Sequence, residues 1–318
     1  MKATKKTVSL LIIAALALCF CSAALILAGE DAHAAVSKAA VKKAKTYKKA
    51  TKKLFKVKGS WYCFSKKKVR KGLQKVGKNY YFFSKKTGKM YLKTGLKKVG
   101  TSYYYFKKKS GKAPALKNKA LTLDGKVWFF KSTGKRYPYS YKTTGTASGN
   151  TAAGYIISAA KIKPADKATT AQLQAAYKKI VLRSSYKIVI ANPITSQAMA
   201  GSYALSCAKD KGGKCYHMAA LTFVTFKALG ASPSLVTGKC SRTGDLTKAQ
   251  EHAWVEESKL VYDSVFDVTL TKKAMTFMGK TMDALHGKDY KNHEFKLKDV
   301  TGDYSNYIYI PDKTNTFK

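Results

Sequence analysis

Short aromatic blocks, each opened by a glycine, punctuate the first half of the chain: Gly59-Ser60-Trp61-Tyr62-Cys63-Phe64, Gly77-Lys78-Asn79-Tyr80-Tyr81-Phe82-Phe83, Gly100-Thr101-Ser102-Tyr103-Tyr104-Tyr105-Phe106 and Gly125-Lys126-Val127-Trp128-Phe129-Phe130. The opening glycines lie 18, 23 and 25 residues apart, and Thr87-Gly88-Lys89, Ser110-Gly111-Lys112 and Thr133-Gly134-Lys135 follow the last three blocks as turns. Each unit predicts a strand, a turn and a second strand, with Gly72-Leu73 and Gly95-Leu96 as returns of the first two units. Aromatics on successive strand positions point to both faces, so a lone hairpin cannot bury them and has to stack on its neighbours. The pattern predicts an all-β solenoid of hairpin repeats over 59–141.

Beyond Lys163 the spacing changes. Thr169 with Gln172 forms a capping-box pattern ahead of Leu173, Tyr177 and Ile180, which predicts a helix. Tyr186-Lys187-Ile188-Val189-Ile190 reads as a strand segment. Gly212-Gly213 supplies a turn before Cys215, and Met218, Leu221, Val224 and Leu229 recur near helical spacing up to Gly230, which is placed to end the helix. Glu251-His252-Ala253-Trp254-Val255-Glu256-Glu257 alternates like a strand, Leu260 to Asp267 reads as its return, and Tyr304 to Ile310 as a closing strand. The fold class expected is an α+β domain over 163–318. The small polar stretch 142–162 reads as a linker, and the Lys/Ala-rich stretch 35–58 as a disordered basic tether.

Charge sharpens this division. The 318 residues carry 61 Lys+Arg against 17 Asp+Glu, a formal net charge of +44, and between Ala35 and Thr143 there are 34 basic residues against one acid, Asp124. Such a field implies a polyanionic partner. Lys2, Lys5 and Lys6 precede the apolar run Val8 to Leu27, and Ala32-His33-Ala34 supplies a cleavage site, so 1–34 reads as an export signal; the length of the run leaves an uncleaved anchor as the alternative. Export points away from nucleic acid and toward an anionic wall polymer, a polysaccharide or a teichoic-acid-like chain. Four cysteines lie beyond the signal, Cys63, Cys207, Cys215 and Cys240, too few for a disulfide scaffold, though Cys207 with Cys240 is a conceivable pair.

A cysteine at a helix start feels the positive end of the helix dipole, which stabilises negative charge on sulfur and makes Cys215 a candidate nucleophile. A nucleophile needs a base and a group to orient that base. His217 lies about 200° around the helix from Cys215 and points away from it. His252 is better placed, with an aspartate on the returning strand. A tight two-residue hairpin at Glu257-Ser258 would put Asp263 beside His252, leaving Asp263 and Asp267 as the two choices. A metal reading over Cys207, Cys215, His217, Cys240 and His252 lacks a C-x-x-C knuckle, and neither a metal nor a cofactor is expected.

The G-x-x-Y-Y-F units resemble the cell-wall-binding repeats of choline-binding and glucan-binding surface proteins, over about Lys56 to Tyr141. In choline-binding members a quaternary ammonium sits in a cage of aromatics from adjacent hairpins, and a Trp usually follows the returning glycine, where this chain has Leu73 and Leu96. With lysines between nearly all the aromatics, electrostatic attachment to an anionic polymer is the expected mode here. The second half resembles the transglutaminase-like branch of the papain-type cysteine superfamily, on Gly213-x-Cys215-x-x-x-Ala219, Val236-Thr237-Gly238, His252-Ala253-Trp254-Val255 and Phe266-Asp267. Cys215 and His252 stand 37 residues apart, and His252 and Asp267 15. That resemblance implies Cys215 as nucleophile, His252 as base and Asp267 as orienter, acting on a peptide or protein amide through a thioester. The alternative is a non-catalytic polyanion-binding surface protein with a degenerate scaffold.

Overall fold

A computed structural model describes residues 35–241, 247, 249–281, 308–315 and 317. The expected export signal, and residues 304–307 of the expected closing strand, lie outside the described residues. The chain divides into two compact units, one of residues through Thr94 with Phe106–Pro114, the other of Gly95–Tyr105 with Ala115–Lys318.

In the first unit the stretch expected to be a disordered tether is ordered. Helix α1 (Lys38–Thr46) is capped by Ser37 and buries Ala40 and Ala44. The two alanines share a cluster with Tyr62 and Phe64, with Phe55 and Val57 packed against it. Strand β1 (Lys53–Val57) pairs antiparallel with β2 (Ser60–Ser65), which pairs with β3 (Lys68–Arg70). β4 (Gly72–Val76) and β5 (Asn79–Phe83) form a second hairpin. In the second unit β6 (Gly95–Val99) pairs with β7 (Ser102–Phe106), and β8 (Lys119–Leu123) with β9 (Lys126–Phe130).

The hairpins are present, but their phase differs from the sequence expectation. Each opening glycine sits in the tight turn that joins the preceding strand to the aromatic strand: Val57 pairs with Ser60 across Lys58-Gly59, and Leu123 with Lys126 across Asp124-Gly125. In these two turns both residues have positive φ, 44° and 77° in the first and 50° and 71° in the last, while at Gly77 and Gly100 the glycine has positive φ, 58° and 62°. Two such residues make the mirror-image turn that matches strand twist, where glycine is favoured. The partner of each aromatic strand is therefore the Leu-Lys-Lys-Val-like segment before the glycine, and Thr87-Gly88-Lys89 and its counterparts lie in the connections.

The second unit is built around one helix. α2 (Ala147–Ala160), α3 (Thr170–Arg183), α4 (Gln197–Asp210) and α5 (Cys215–Leu229) precede an antiparallel sheet made of β12 (Ser234–Ser241), β13 (Gln250–Glu257), β14 (Leu260–Tyr262), β15 (Met278–Thr281) and β16 (Ile308–Asn315). The sheet order is β15-β14-β13-β12-β16, and the short helix α6 (Ser264–Thr269) follows β14. Every residue of α5 but Lys227 is buried, as a helix apolar on all sides must be. It packs on α2, α3, α4 and β13. The Thr169 to Gln172 capping box is present, and Gly230 ends α5 at φ 93°.

Two expectations fail here. Residues 142–162 are not a linker: Thr146 caps α2, and Ala152, Ala153, Ile156 and Ile157 enter the same core cluster as Val127, Phe129, Tyr177 and Phe223. Small residues read as linker composition, yet they let a helix approach its neighbours closely: a Cβ on Gly154 would lie 2.4 Å from the Phe129 ring, and one on Gly201 2.3 Å from Thr146 Oγ1. The unit thus begins well before residue 163. The segment 186–190 is not a strand beyond the two residues of β10 (Ser185–Tyr186), which pairs in parallel with β11 (Gly212–Gly213). Ile188 and Ile190 are 95% and 97% exposed, with no sheet to pack on.

Candidate active site

Cys215 opens α5, directly after the β11 turn. The position requires Gly212, whose φ is 150° and whose Cβ would sit 2.0 Å from the Ser185 carbonyl oxygen. Lys214, the N-cap, makes no side-chain capping bond, so the positive end of the helix faces the sulfur without a competing side chain. Cys215 is 3% exposed, and its Sγ lies 3.9 Å from the Glu251 carbonyl oxygen on β13. Next to it the Tyr216 hydroxyl donates to Glu251 Oε2 at 2.6 Å, which ties the helix start to the strand that carries the histidine. Burial and that bond both push the Tyr216 hydroxyl well above its ordinary range.

His252 sits on β13 opposite Gly238 of β12 and is 4% exposed. Its Nε2 lies 2.7 Å from Asp263 Oδ2, and its ring stacks on Phe266 with centroids 4.5 Å apart. Burial by itself would lower its pKa; the Asp263 and Cys240 charges and hydrogen bonds with Asp263 and Cys215 outweigh that and hold it well above the usual histidine range. With Nε2 engaged by Asp263, Nδ1 is the nitrogen left for the thiol. The structure therefore brings Cys215, His252 and Asp263 together.

Asp267, expected beside His252, is elsewhere. The returning strand stops at Tyr262, because Asp263 Oδ1 accepts from the backbone N–H groups of Val265 and Phe266 and starts α6. Wound into that helix, Asp267 accepts from the Tyr177 hydroxyl at 2.5 Å, from Thr271 Oγ1 at 3.0 Å and from the Phe277 N–H at 3.2 Å. Burial raises its pKa, opposed by those bonds. The two-residue turn falls at Ser258 and Lys259, with φ of 52° and 64°, one residue beyond the expected Glu257-Ser258, and the register Val255 to Tyr262 leaves Asp263 next in line toward His252. The cap, Asp263 followed by Ser264, sits inside an alternating run that reads as one continuous strand through Asp267.

Of the other predicted groups, Cys240 acts on His252 through its charge, and His217 packs elsewhere. His217 stacks on Tyr203 at 4.3 Å and is buried, which lowers its pKa. Cys63, Cys207 and Cys215 are free thiols, so no disulfide joins Cys207 to Cys240. Burial pushes Cys63 up to about 11 and Cys207 up to about 12. Among the described residues no group of three or more His, Cys, Asp or Glu could hold a metal ion, and no helix is long and apolar enough to cross a membrane.

No family model matches the chain, and no curated protein matches it. Solved structures that align with it include choline binding protein F from Streptococcus pneumoniae, with 23% identity over 28% of this chain and 30% of that chain and a TM-score of 0.22. Truncated alternansucrase from Leuconostoc mesenteroides aligns with 21% identity over 29% of this chain and 8% of that chain, TM-score 0.24. The modular autolysin LytC from Streptococcus pneumoniae aligns with 17% identity over 30% and 38%, TM-score 0.11. The chain spans under two fifths of the length of each of these proteins, and likeness of this extent assigns it no activity.

Proposed function

We propose that this is an exported, wall-associated protein whose hairpin repeats hold an anionic polymer and whose second unit performs acyl transfer through a Cys215 thioester. The observation that carries the catalytic part is the arrangement of His252, with Asp263 on Nε2 at 2.7 Å and a hydrogen bond with Cys215. An imidazole held beside the sulfur can take the thiol proton, which leaves sulfur as the attacking nucleophile and the ring as the acid for the next step. The thiolate attacks the carbonyl carbon of an amide, forming a C–S bond, and backbone N–H groups at the start of α5 receive the charge on oxygen. His252 gives its proton to the leaving nitrogen as the C–N bond breaks. Water or a second amine then attacks the thioester carbon with His252 as base, the C–S bond breaks to release the acyl product and Cys215, and Asp263 keeps the ring in one orientation throughout. The wall association rests on the 34-to-1 excess of basic residues between Ala35 and Thr143.

A second reading keeps the polymer binding and makes the second unit an inert scaffold; the near-complete burial of Cys215 and His252 favours it. Alkylation at neutral pH separates the two. Because burial holds Cys63 and Cys207 as thiols, rapid labelling reports Cys215 and Cys240. The catalytic reading expects Cys215 to react fastest, His252→Ala to abolish that advantage, and mass spectrometry of wall peptides to show cleavage or a new isopeptide that Cys215→Ala removes. Labelling of Cys215 no faster than Cys240, with unchanged wall peptides, establishes the binding-only reading.

A further inference from the structure

Each tryptophan of the repeats has one of the chain's own cations over its ring. The Arg136 guanidinium carbon lies 3.8 Å from the centroid of the Trp128 ring and 4.4 Å from that of Tyr103. Trp128 belongs to hairpin β8–β9 and Tyr103 to the preceding hairpin β6–β7, so aromatics of two consecutive hairpins receive one cation. The arginine is fixed there by its backbone: its N–H donates to the Tyr103 carbonyl at 2.8 Å, and it bridges to Phe130. Trp61 in the first unit repeats the pattern, with Lys112 Nζ 4.6 Å from its centroid.

A cation over a ring uses the negative face of the aromatic quadrupole. That is the interaction a quaternary ammonium needs, and the chain's own arginine already makes it. Guanidinium stacking engages the flat face and leaves the in-plane N–H donors at the edge. Among the described residues no carboxylate or carbonyl accepts from the Arg136 side chain. Between Ala35 and Thr143 the one acid is Asp124, so almost nothing in the repeats competes for those donors. Lys98 adds a second cation 5.9 Å from the Tyr103 centroid.

We propose that Arg136 fills this aromatic seat as a built-in cation and turns it from a site for ammonium groups into one for an oxyanion, the phosphodiester or carboxylate of a wall polymer. The inference rests on the polymer-binding part of the function proposed above and adds a residue and a ligand chemistry to it. The aromatic rings hold the guanidinium plane in place, and its edge takes the oxyanion through paired N–H bonds.

The test compares the full chain with Arg136→Ala, Arg136→Lys and Lys126→Ala, the last removing one exposed charge from the same hairpin. Binding to fluorescent poly(glycerol phosphate) and, separately, to polygalacturonate is measured at about 0.15 M salt, where the Debye length is about 8 Å and distant charges count little. Arg136→Ala is expected to weaken binding to at least one polymer about tenfold, Arg136→Lys by less, and Lys126→Ala by no more than about twofold. The polymer affected identifies the oxyanion. Choline chloride is expected not to displace either polymer. Equal losses in Arg136→Ala and Lys126→Ala, or displacement by choline, overturn the inference while leaving charge-driven attachment intact. Failure of the unmodified chain to bind either polymer overturns both. Arg136→Lys retains the charge and the stem, so the comparison survives poor folding of the alanine variant.

Discussion

Tyr177 donates its hydroxyl to Asp267 Oδ2 across 2.5 Å, and that contact is what separates the two aspartates of α6. Asp263 faces the histidine; Asp267 faces the helices. Asp267→Asn is therefore expected to destabilise the fold by about 1–3 kcal/mol, the cost of disturbing a buried network, while leaving the alkylation rate of Cys215 within a few-fold of the original. On the proposed catalytic reading, Asp263→Asn should instead lower turnover by two or more orders of magnitude with smaller loss of stability. Measuring urea unfolding and single-turnover rates for both variants decides it; an Asp267→Asn enzyme that is stable but inactive would refute the assignment.

The histidine makes a pH-dependent contribution that can be measured separately. Its folded pKa is raised by Asp263 and Cys215 against an opposing burial effect, so the imidazolium adds stability that is fully present below the unfolded value of about 6.5 and is lost as pH rises through the higher folded value. The stability difference between the natural chain and His252→Gln should be largest near pH 6 and shrink toward alkaline pH. A difference that is flat or grows with pH contradicts the Asp263 pairing.

Gly154 tests the close packing of α2. Helix propensity alone favours alanine over glycine by about 0.8–1 kcal/mol, but a Cβ would meet the Phe129 ring at 2.4 Å and Tyr141 Oη at 2.6 Å. Overpacking outweighs propensity, and Gly154→Ala should be less stable by about 1–3 kcal/mol. Chemical denaturation showing an equal or higher midpoint would remove this account of the helix.

At the start of α3, Thr169 Oγ1 accepts from the Gln172 N–H and Gln172 Oε1 from the Thr169 N–H. Thr169→Ala should cost about 1 kcal/mol, read as a fall in melting temperature; Thr169→Ser should recover most of it. A serine variant no better than alanine would place the effect in the lost methyl group.

What the chain disclosed in advance was whatever depends on a few adjacent residues. The capping box at Thr169, the glycine stop at Gly230, the helix opened by Cys215 and the His252 strand each have a local signature, and all are present. Phase and partnership were less legible. The aromatic blocks pair backward, because a two-residue turn at the glycine outcompetes the longer turns downstream, and periodicity alone does not say which neighbour a strand takes. The 142–162 segment looked like a linker because alanine, glycine and threonine carry little hydrophobic signal, although their smallness is what lets α2 sit in the core. The choice between Asp263 and Asp267 turned on a cap formed by the aspartate itself, which the strand-like pattern of 260–267 concealed.

Hairpin β8–β9 donates Val127 and Phe129 to the core that holds α5, and its Ala120 N–H is bound by Thr151 Oγ1 of α2 at 3.2 Å. The end of the repeat array is thus a structural part of the unit that carries Cys215 rather than a strap attached to it. Pulling that hairpin away would expose the apolar surface that supports the cysteine helix. Mechanical pull and thiol geometry are in this way properties of one piece of structure.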